Sequence, residues 1–359
     1  MKKIFFTVGP SQLYPTVEEH IAKVLQTDLF SMSHRSAEFS EMYFELEQTL
    51  RSLLEIPSTH SIFFINSGTE AMEITLRNCV EKNSFHISSG AFGKRFLQSA
   101  KEVGKQPETF GIDIANIVSL DTINIPKKAE LICLTQTDTS VGMAIPVEEI
   151  HQLKKKYPDK LVAVDTVASM PYVNLNYALL DSVFFSVQKG FGLPAGLGIM
   201  IVSPHALEKA NYLQKKGYDI GTHHNFPTLK AFADKKQTPE TPNLLELYLL
   251  GKVAKDIEKV GIEILRKITD EKAKKLYRLV ERCDGFAPVI VNKKYQAPTV
   301  IVAKFVKDNF ENLKQWEKET GFIVGEGYGA NKETQIRIAN FLAHTEKDVE
   351  TLANMLCRL

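Results

Sequence analysis

The sequence predicts an α/β fold: a large domain with a mostly parallel central sheet flanked by helices, then a smaller C-terminal α+β domain. Three observations carry this. Strand-like apolar runs alternate with helix-like stretches between residues 62 and 202, the texture changes after Thr241, and 359 residues suffice for two ordinary domains.

The alternation comes first. Apolar runs at 62–65, 130–134, 161–164, 183–187 and 198–202 have the length of strands. Between several of them lie amphipathic stretches such as 147–157, where Val147, Ile150, His151 and Leu153 mark one face and lysines another. Strands separated by helices need crossover connections, and these make neighbouring strands parallel. Ligands of such sheets bind beyond the carboxyl ends of the strands, so the residues just after each run are the ones to inspect.

Beyond Thr241-Pro242-Asn243 a long helical pattern runs through Leu244, Leu245, Tyr248, Leu249, Val253 and Ile257. A second helix follows Gly261 through Leu276 and Val280, and candidate strands at 288–291 and 299–305 precede a last helix from Lys347. The expected division is 1–253 for the large domain and 254–359 for the small one, with the N-terminal segment able to contribute to the latter. The helix near 244–258 would be the hinge.

Composition narrows the function classes. A net charge of +1, without any block of five like charges, gives no footprint for nucleic acid or an anionic membrane. Lys154-Lys155-Lys156 reads as a solvated helix face. The four cysteines, Cys79, Cys133, Cys283 and Cys357, show neither a C-x-x-C pair nor metal-ligand spacing, so a reducing compartment and no metal are expected. The apolar start at Met1–Val8 is cut by Gly9-Pro10, too short for a signal peptide. The run from Gly190 to Val202 falls short of the ~20 residues that span a bilayer. A cytoplasmic protein is expected.

Chemistry concentrates at a few strand ends. Lys189 sits between buried-strand sequences, in Val187-Gln188-Lys189-Gly190. A buried ammonium costs several kcal/mol unless paired or deprotonated, so this lysine either snorkels to solvent or serves as an amine nucleophile with a lowered pKa. Asp165 ends the run Leu161-Val162-Ala163-Val164, where an acid either faces a ligand or caps a helix. Asn66-Ser67-Gly68-Thr69-Glu70 carries a strand into a helix and leaves free N–H groups that suit a phosphate, although the same residues make an ordinary cap. Arg337, in the apolar run Gln335–Ala339, is either an edge-strand ion pair or a carboxylate clamp. Gly190-Phe191-Gly192-Leu193-Pro194-Ala195 fits the G-x-G-x-x-(G/A) spacing of a dinucleotide turn, but a strand rather than a helix follows it. Gly325-Glu326-Gly327-Tyr328-Gly329 reads as a flexible loop rather than a phosphate cradle.

In their order and spacing these elements resemble the class V aminotransferases of pyridoxal-phosphate fold type I, and within that group the phosphoserine aminotransferases. Ser33-His34-Arg35-Ser36-Ala37-Glu38-Phe39 resembles the S-H-R-S-x-E-F segment, Gly90-Ala91-Phe92-Gly93 the stretch with the ring-stacking aromatic, and Thr137-Asp138-Thr139-Ser140-Val141-Gly142 the N-E-T-S-x-G loop. Asp165, Gln188-Lys189, Glu240-Thr241-Pro242 and Arg337 follow in family order. The resemblance implies pyridoxal 5′-phosphate as cofactor, held as a Schiff base on Lys189, with Asp165 at the pyridine nitrogen and Phe92 on a ring face. It further implies that Gly68, Thr69 and Gln188 bind the cofactor phosphate and that Thr139 lies beside the ring. Thr241 would reach the phosphate from a neighbouring subunit, which implies a homodimer. Arg337 would clamp the substrate α-carboxylate, and His34 with Arg35 would hold a second anion, either a phosphate or the distal carboxylate of glutamate.

The expected reaction is transamination between glutamate and 3-phosphohydroxypyruvate, yielding 2-oxoglutarate and phosphoserine. Small amino acids and 2-oxo acids are thus the expected partners. Phe92, where phosphoserine enzymes commonly have Trp, and Gly93-Lys94-Arg95 lean toward alanine– or serine–glyoxylate transfer, which stands close behind; Ile338-Ala339-Asn340-Phe341 after Arg337, and Thr69 where some phosphoserine enzymes carry a phosphate-binding Arg, also depart from the phosphoserine pattern. Cysteine desulfuration, which typically needs His before the lysine and a mobile nucleophilic Cys, and a non-catalytic scaffold rank lower.

Overall fold

The computed structural model describes residues 3–305 and 310–356. In chain order its main elements begin with β1 (Ile4–Phe6), α1 (Val17–Val24), α2 (Ala37–Leu54), β2 (Ser61–Ile65), α3 (Gly68–Cys79), β3 (Asn83–Ser88), α4 (Ala91–Glu102) and β4 (Gln106–Gly111). Next come β5 (Leu131–Thr135), the short pair β6 (Thr137–Asp138) and β7 (Met143–Ala144), α5 (Val147–Lys156), β8 (Leu161–Asp165), β9 (Ser182–Ser186), β10 (Gly198–Val202), α6 (Pro204–Lys215) and α7 (Phe226–Ala233). The chain continues through α8 (Leu244–Val260), α9 (Ile262–Arg282), β11 (Phe286–Pro288), β12 (Val300–Phe305), α10 (Phe310–Thr320), β13 (Phe322–Glu326), β14 (Gln335–Ala339) and α11 (Glu346–Leu356).

Seven strands form the large sheet in the order β2-β10-β9-β8-β5-β3-β4. Only β10 runs antiparallel to its neighbours in it. Both faces of β2, β5, β9 and β10 are buried, so their sequences read as unbroken apolar runs rather than alternating ones. This explains why the five strands expected between 62 and 202 all form. The two strands without such a signature are β3, which buries Ser84 and His86, and β4, an edge strand open to solvent. Burial pushes His86 down to about 3, so it enters the core as a neutral ring.

A second sheet has the order β1-β13-β14-β12-β11. The N-terminal strand β1 joins it in parallel with β13, so both chain ends build one layer. Phe6, Leu276, Ile301, Trp316, Val324, Ile338 and Leu352 make up its core with α9, α10 and α11. The strand expected at 288–291 lies two residues earlier, because Phe286 to Pro288 pair with β12. The expected division at 253/254 falls inside α8, whose Val253, Ala254 and Ile257 are all in the core cluster of the large sheet.

Candidate active site

Strands β8 and β9 are parallel neighbours, and each ends in a functional side chain. Asp165 is the last residue of β8; Lys189 follows β9 by three residues. Both are buried. Asp165 Oδ1 accepts the Val167 N–H at 2.9 Å and Oδ2 the Thr135 hydroxyl at 3.3 Å. Burial nevertheless raises its pKa to about 6, with these hydrogen bonds and Lys189 opposing the rise. Burial likewise lowers Lys189 to about 8; Asp165 resists that drop and the Arg337 guanidinium adds to it. The sheet thus presents an amine with a substantial neutral fraction near neutral pH, and an acid beside it.

The ring of Phe92 lies with its centroid 5.0 Å from Lys189 Nζ. Its position is fixed from below. Asp138 Oδ2 accepts the Phe92 and Gly93 N–H groups at 3.0 and 3.2 Å, and Ser140 Oγ accepts that of Ala91 at 2.8 Å. A carboxylate at the start of α4 also complements the helix dipole. Gly90 makes this possible, since a Cβ there would sit 2.5 Å from Asp138 Oδ1.

On the far side Tyr328 packs 5.7 Å from Phe92 and lies 5.7 Å beneath the Arg337 guanidinium. Arg337 projects from β14 and donates its Nε–H to Glu326 O at 2.6 Å, leaving the terminal nitrogens for another acceptor. The second sheet therefore delivers a cation to the strand ends of the first.

These groups enclose a cavity of about 280 Å³ whose wall includes Gly68, Thr69, Phe92, Thr139, Asp165, Gln188, Lys189 and Arg337. Of the residues singled out in the sequence, His34, Arg35 and Thr241 are not on it. Thr241 Oγ1 lies 3.4 Å from His34 Nδ1. Arg35 stacks over Phe232 and donates to Gln237 Oε1, Thr238 O and Pro239 O.

Sequence reasoning missed four contributors. Gly9, read only as the end of an apolar run, has φ +131° and lets the backbone approach so closely that a Cβ would meet Lys189 Cε at 2.7 Å. Ser186 Oγ accepts the Gly68 N–H at 2.8 Å. Asp138 stands in the sequence only as part of a loop, and Tyr328 only as part of a glycine-rich stretch. Asp138 and Ser186 do carry a readable signal, a small polar residue at a strand end, but so do many caps.

The sequence model of the family described as "Aminotransferase class-V" matches residues 4–352. The chain belongs to the class V aminotransferases. A crystal structure of a phosphoserine aminotransferase from Cytophaga hutchinsonii is 41% identical, with a TM-score of 0.96 over 99% of this chain and 98% of that one. The phosphoserine aminotransferase of Rhodococcus jostii is 24% identical over 359 residues, 98% of this chain and 93% of its own. An alanine–glyoxylate aminotransferase structure from Nostoc, at 22% identity, a TM-score of 0.83 and coverage of 100% and 95%, shares the fold. The expected α/β architecture, a mostly parallel sheet with flanking helices and a further α+β layer, is the architecture of this aminotransferase family.

Proposed function

We propose that this aminotransferase binds pyridoxal 5′-phosphate on Lys189 and transfers the amino group of glutamate to 3-phosphohydroxypyruvate, forming phosphoserine. One observation carries the reading: a buried amine and a buried acid end adjacent parallel strands, on the wall of a cavity that also holds unpartnered polar atoms. Thr139 Oγ1 and Gln188 Oε1 are buried without a hydrogen-bond partner among the described residues, which calls for a polar ligand. The 41% identity to a phosphoserine aminotransferase supports the choice of substrate.

The residues present fit the cofactor. When bound, pyridoxal phosphate supplies an aldehyde that an amine can condense with and a pyridine ring that takes up electrons. Lys189 would hold it through Nζ and, once displaced by substrate, move the proton off the substrate Cα. Asp165, kept ionised by the Val167 N–H and Thr135, would keep the ring nitrogen protonated. Phe92 would lie against a ring face, worth ~0.5–1.5 kcal/mol beyond burial. Gln188, Gly68 and Thr69 would meet the phosphate. The Gly68 N–H is already given to Ser186 Oγ and the Glu70 N–H to Ser67 Oγ, which leaves Thr69 the main donor of that turn. Thr139 would bind beside the ring. Arg337 would clamp the α-carboxylate with its free nitrogens, and Tyr328 beneath it would keep the guanidinium aimed at the cavity.

His34 and Thr241 meet each other, and Arg35 meets residues 237–239, rather than this cavity, which supports a second copy of the chain as the owner of the cavity they serve. The proposed enzyme is therefore a homodimer with shared sites. Its proposed division into 1–253 and 254–359 would make α8 the connecting helix. A cytoplasmic location is proposed with it, and no helix of the described residues is long and apolar enough to cross a membrane.

A second reading, alanine– or serine–glyoxylate transfer, draws on the state of Arg35, whose guanidinium is already engaged by Gln237, Thr238 and Pro239 and so is not a free anion receptor in this arrangement. Desulfuration finds little support. Burial pushes the thiols of Cys79 and Cys133 up, Cys283 is disulfide-bonded, and Cys357 lies outside the described residues. The test is a panel of amino donors added to the cofactor-loaded protein while its visible absorbance is followed. Phosphoserine and glutamate should bleach it far faster than alanine or serine; the reverse order would replace the reading with the second one.

A further inference from the structure

We propose that His223, His224 and Glu240 form a binding site for a divalent transition cation, with Zn2+ the best match to two imidazoles and a carboxylate. The site lies outside the cavity described above, between the start of α7 and the loop leading to α8.

The geometry begins with His224, which is 7% exposed. Its Nδ1 lies 2.5 Å from Glu70 Oε1 on α3. A carboxylate at Nδ1 fixes the tautomer that carries the proton there and turns the Nε2 lone pair outward, the arrangement that orients metal-binding histidines. Nε2 and Glu240 Oε2 are both buried and stand at ion-pair distance, 2.8 Å, with no other hydrogen-bond partner among the described residues. At that distance an imidazole lone pair and a carboxylate oxygen repel unless a cation lies between them, either a proton or a metal ion in its place. Around a tetrahedral ion with ligands at ~2.0–2.1 Å, neighbouring donor atoms stand ~3.3 Å apart. His223 completes the set: its ring centroid is 4.3 Å from that of His224, and the three ligand atoms lie within 4.8 Å of one another. A rotation of this exposed side chain closes the remaining gap.

The backbone holding the pair is already rigid. Asn225 donates its side-chain amide to Gly221 O and Thr222 O at 3.1 and 2.5 Å, and its Oδ1 caps α7 by accepting the Thr228 N–H at 2.9 Å. A cavity of about 300 Å³ beside the two histidines gives access and space for a water in the fourth position. With His224 neutral, the charges of Glu70 and Glu240 balance a divalent ion. The competing use of the same groups is a protonated His224 bridging two carboxylates, with no metal.

The test is calorimetric titration of ZnCl2 into chelator-treated, cofactor-loaded protein. One equivalent should bind per chain, and excess Mg2+ should not compete. His223→Ala, at an exposed position, should weaken binding by ~10-fold or more, and Glu70→Gln by ~10–100-fold. Lys189→Ala protein should bind as tightly as the parent, which separates this site from the cofactor cavity and from the reading above. Co2+ in place of Zn2+ should give tetrahedral visible absorption that His223→Ala and Glu240→Gln abolish. No saturable binding, or binding indifferent to both of those substitutions, would leave His224 as an ion-pair bridge and overturn the proposal.

Discussion

The two ends of the proposed site are built on opposite principles. At the chemical end, Asp165 and Lys189 are buried at strand ends, and burial outweighs their mutual attraction and moves their pKa values toward each other, to about 6 and about 8. At the recognition end, Arg35 and Thr241 are exposed and sit on loops; Arg35 donates to the Thr238 and Pro239 carbonyls, and the Thr241 hydroxyl meets the His34 ring. The first end gets its reactivity from the core of one chain. The second lies off the Lys189 cavity. In the proposed homodimer those residues would become a site only against the other copy, which would make chemistry a property of the fold and substrate choice a property of assembly.

Substitution at Arg337 should produce the largest effect that separates the two ends. It faces the cavity from β14 with only its Nε committed, so its terminal nitrogens are available to a carboxylate common to every amino acid. Arg337→Ala should cost ~1.5–3 kcal/mol, or ~10–100-fold in kcat/KM, in both half-reactions. A loss confined to one half-reaction would show that it does not hold the shared carboxylate.

Arg35→Ala should be smaller and selective. If the loop-bound guanidinium also serves a phosphate on the partner copy, KM should rise severalfold for phosphoserine and little for alanine. Equal losses for both would mean that Arg35 only fastens residues 237–239. Smallest is a shift in titration. In cofactor-free protein, acylation of Lys189 should rise with pH through a midpoint near 8 instead of the ordinary 10.5, because below it the amine is an unreactive ammonium. Arg337→Ala should move that midpoint upward, since the guanidinium disfavours a second positive charge. A midpoint left at the ordinary lysine value would mean that the amine is solvated.

Legibility in the sequence followed the same divide. Doubly buried strands announce themselves as apolar runs, so β2, β5, β8, β9 and β10 and the residues at their ends could be placed before any coordinates. β3 could not, because His86 and Ser84 satisfy each other at 2.9 Å inside the core and erase the pattern. Nor could β1, whose three residues become a strand only by pairing with β13, more than three hundred residues away. Gly9 belongs to the same class: its meaning lies in the approach of Lys189, a contact that no local spacing encodes. The His223-His224 pair with Glu240 and Glu70 draws on three segments, so no local ligand spacing announces it.

Borohydride reduction of the cofactor-loaded protein, followed by peptide mapping, tests the central claim most directly. The reduced pyridoxyl adduct should fall on the peptide containing Lys189, and Lys189→Ala protein should give no stable visible chromophore. An adduct on any other lysine, or an unchanged chromophore in the variant, would contradict the assignment of the buried amine between β9 and β10 as the nucleophile.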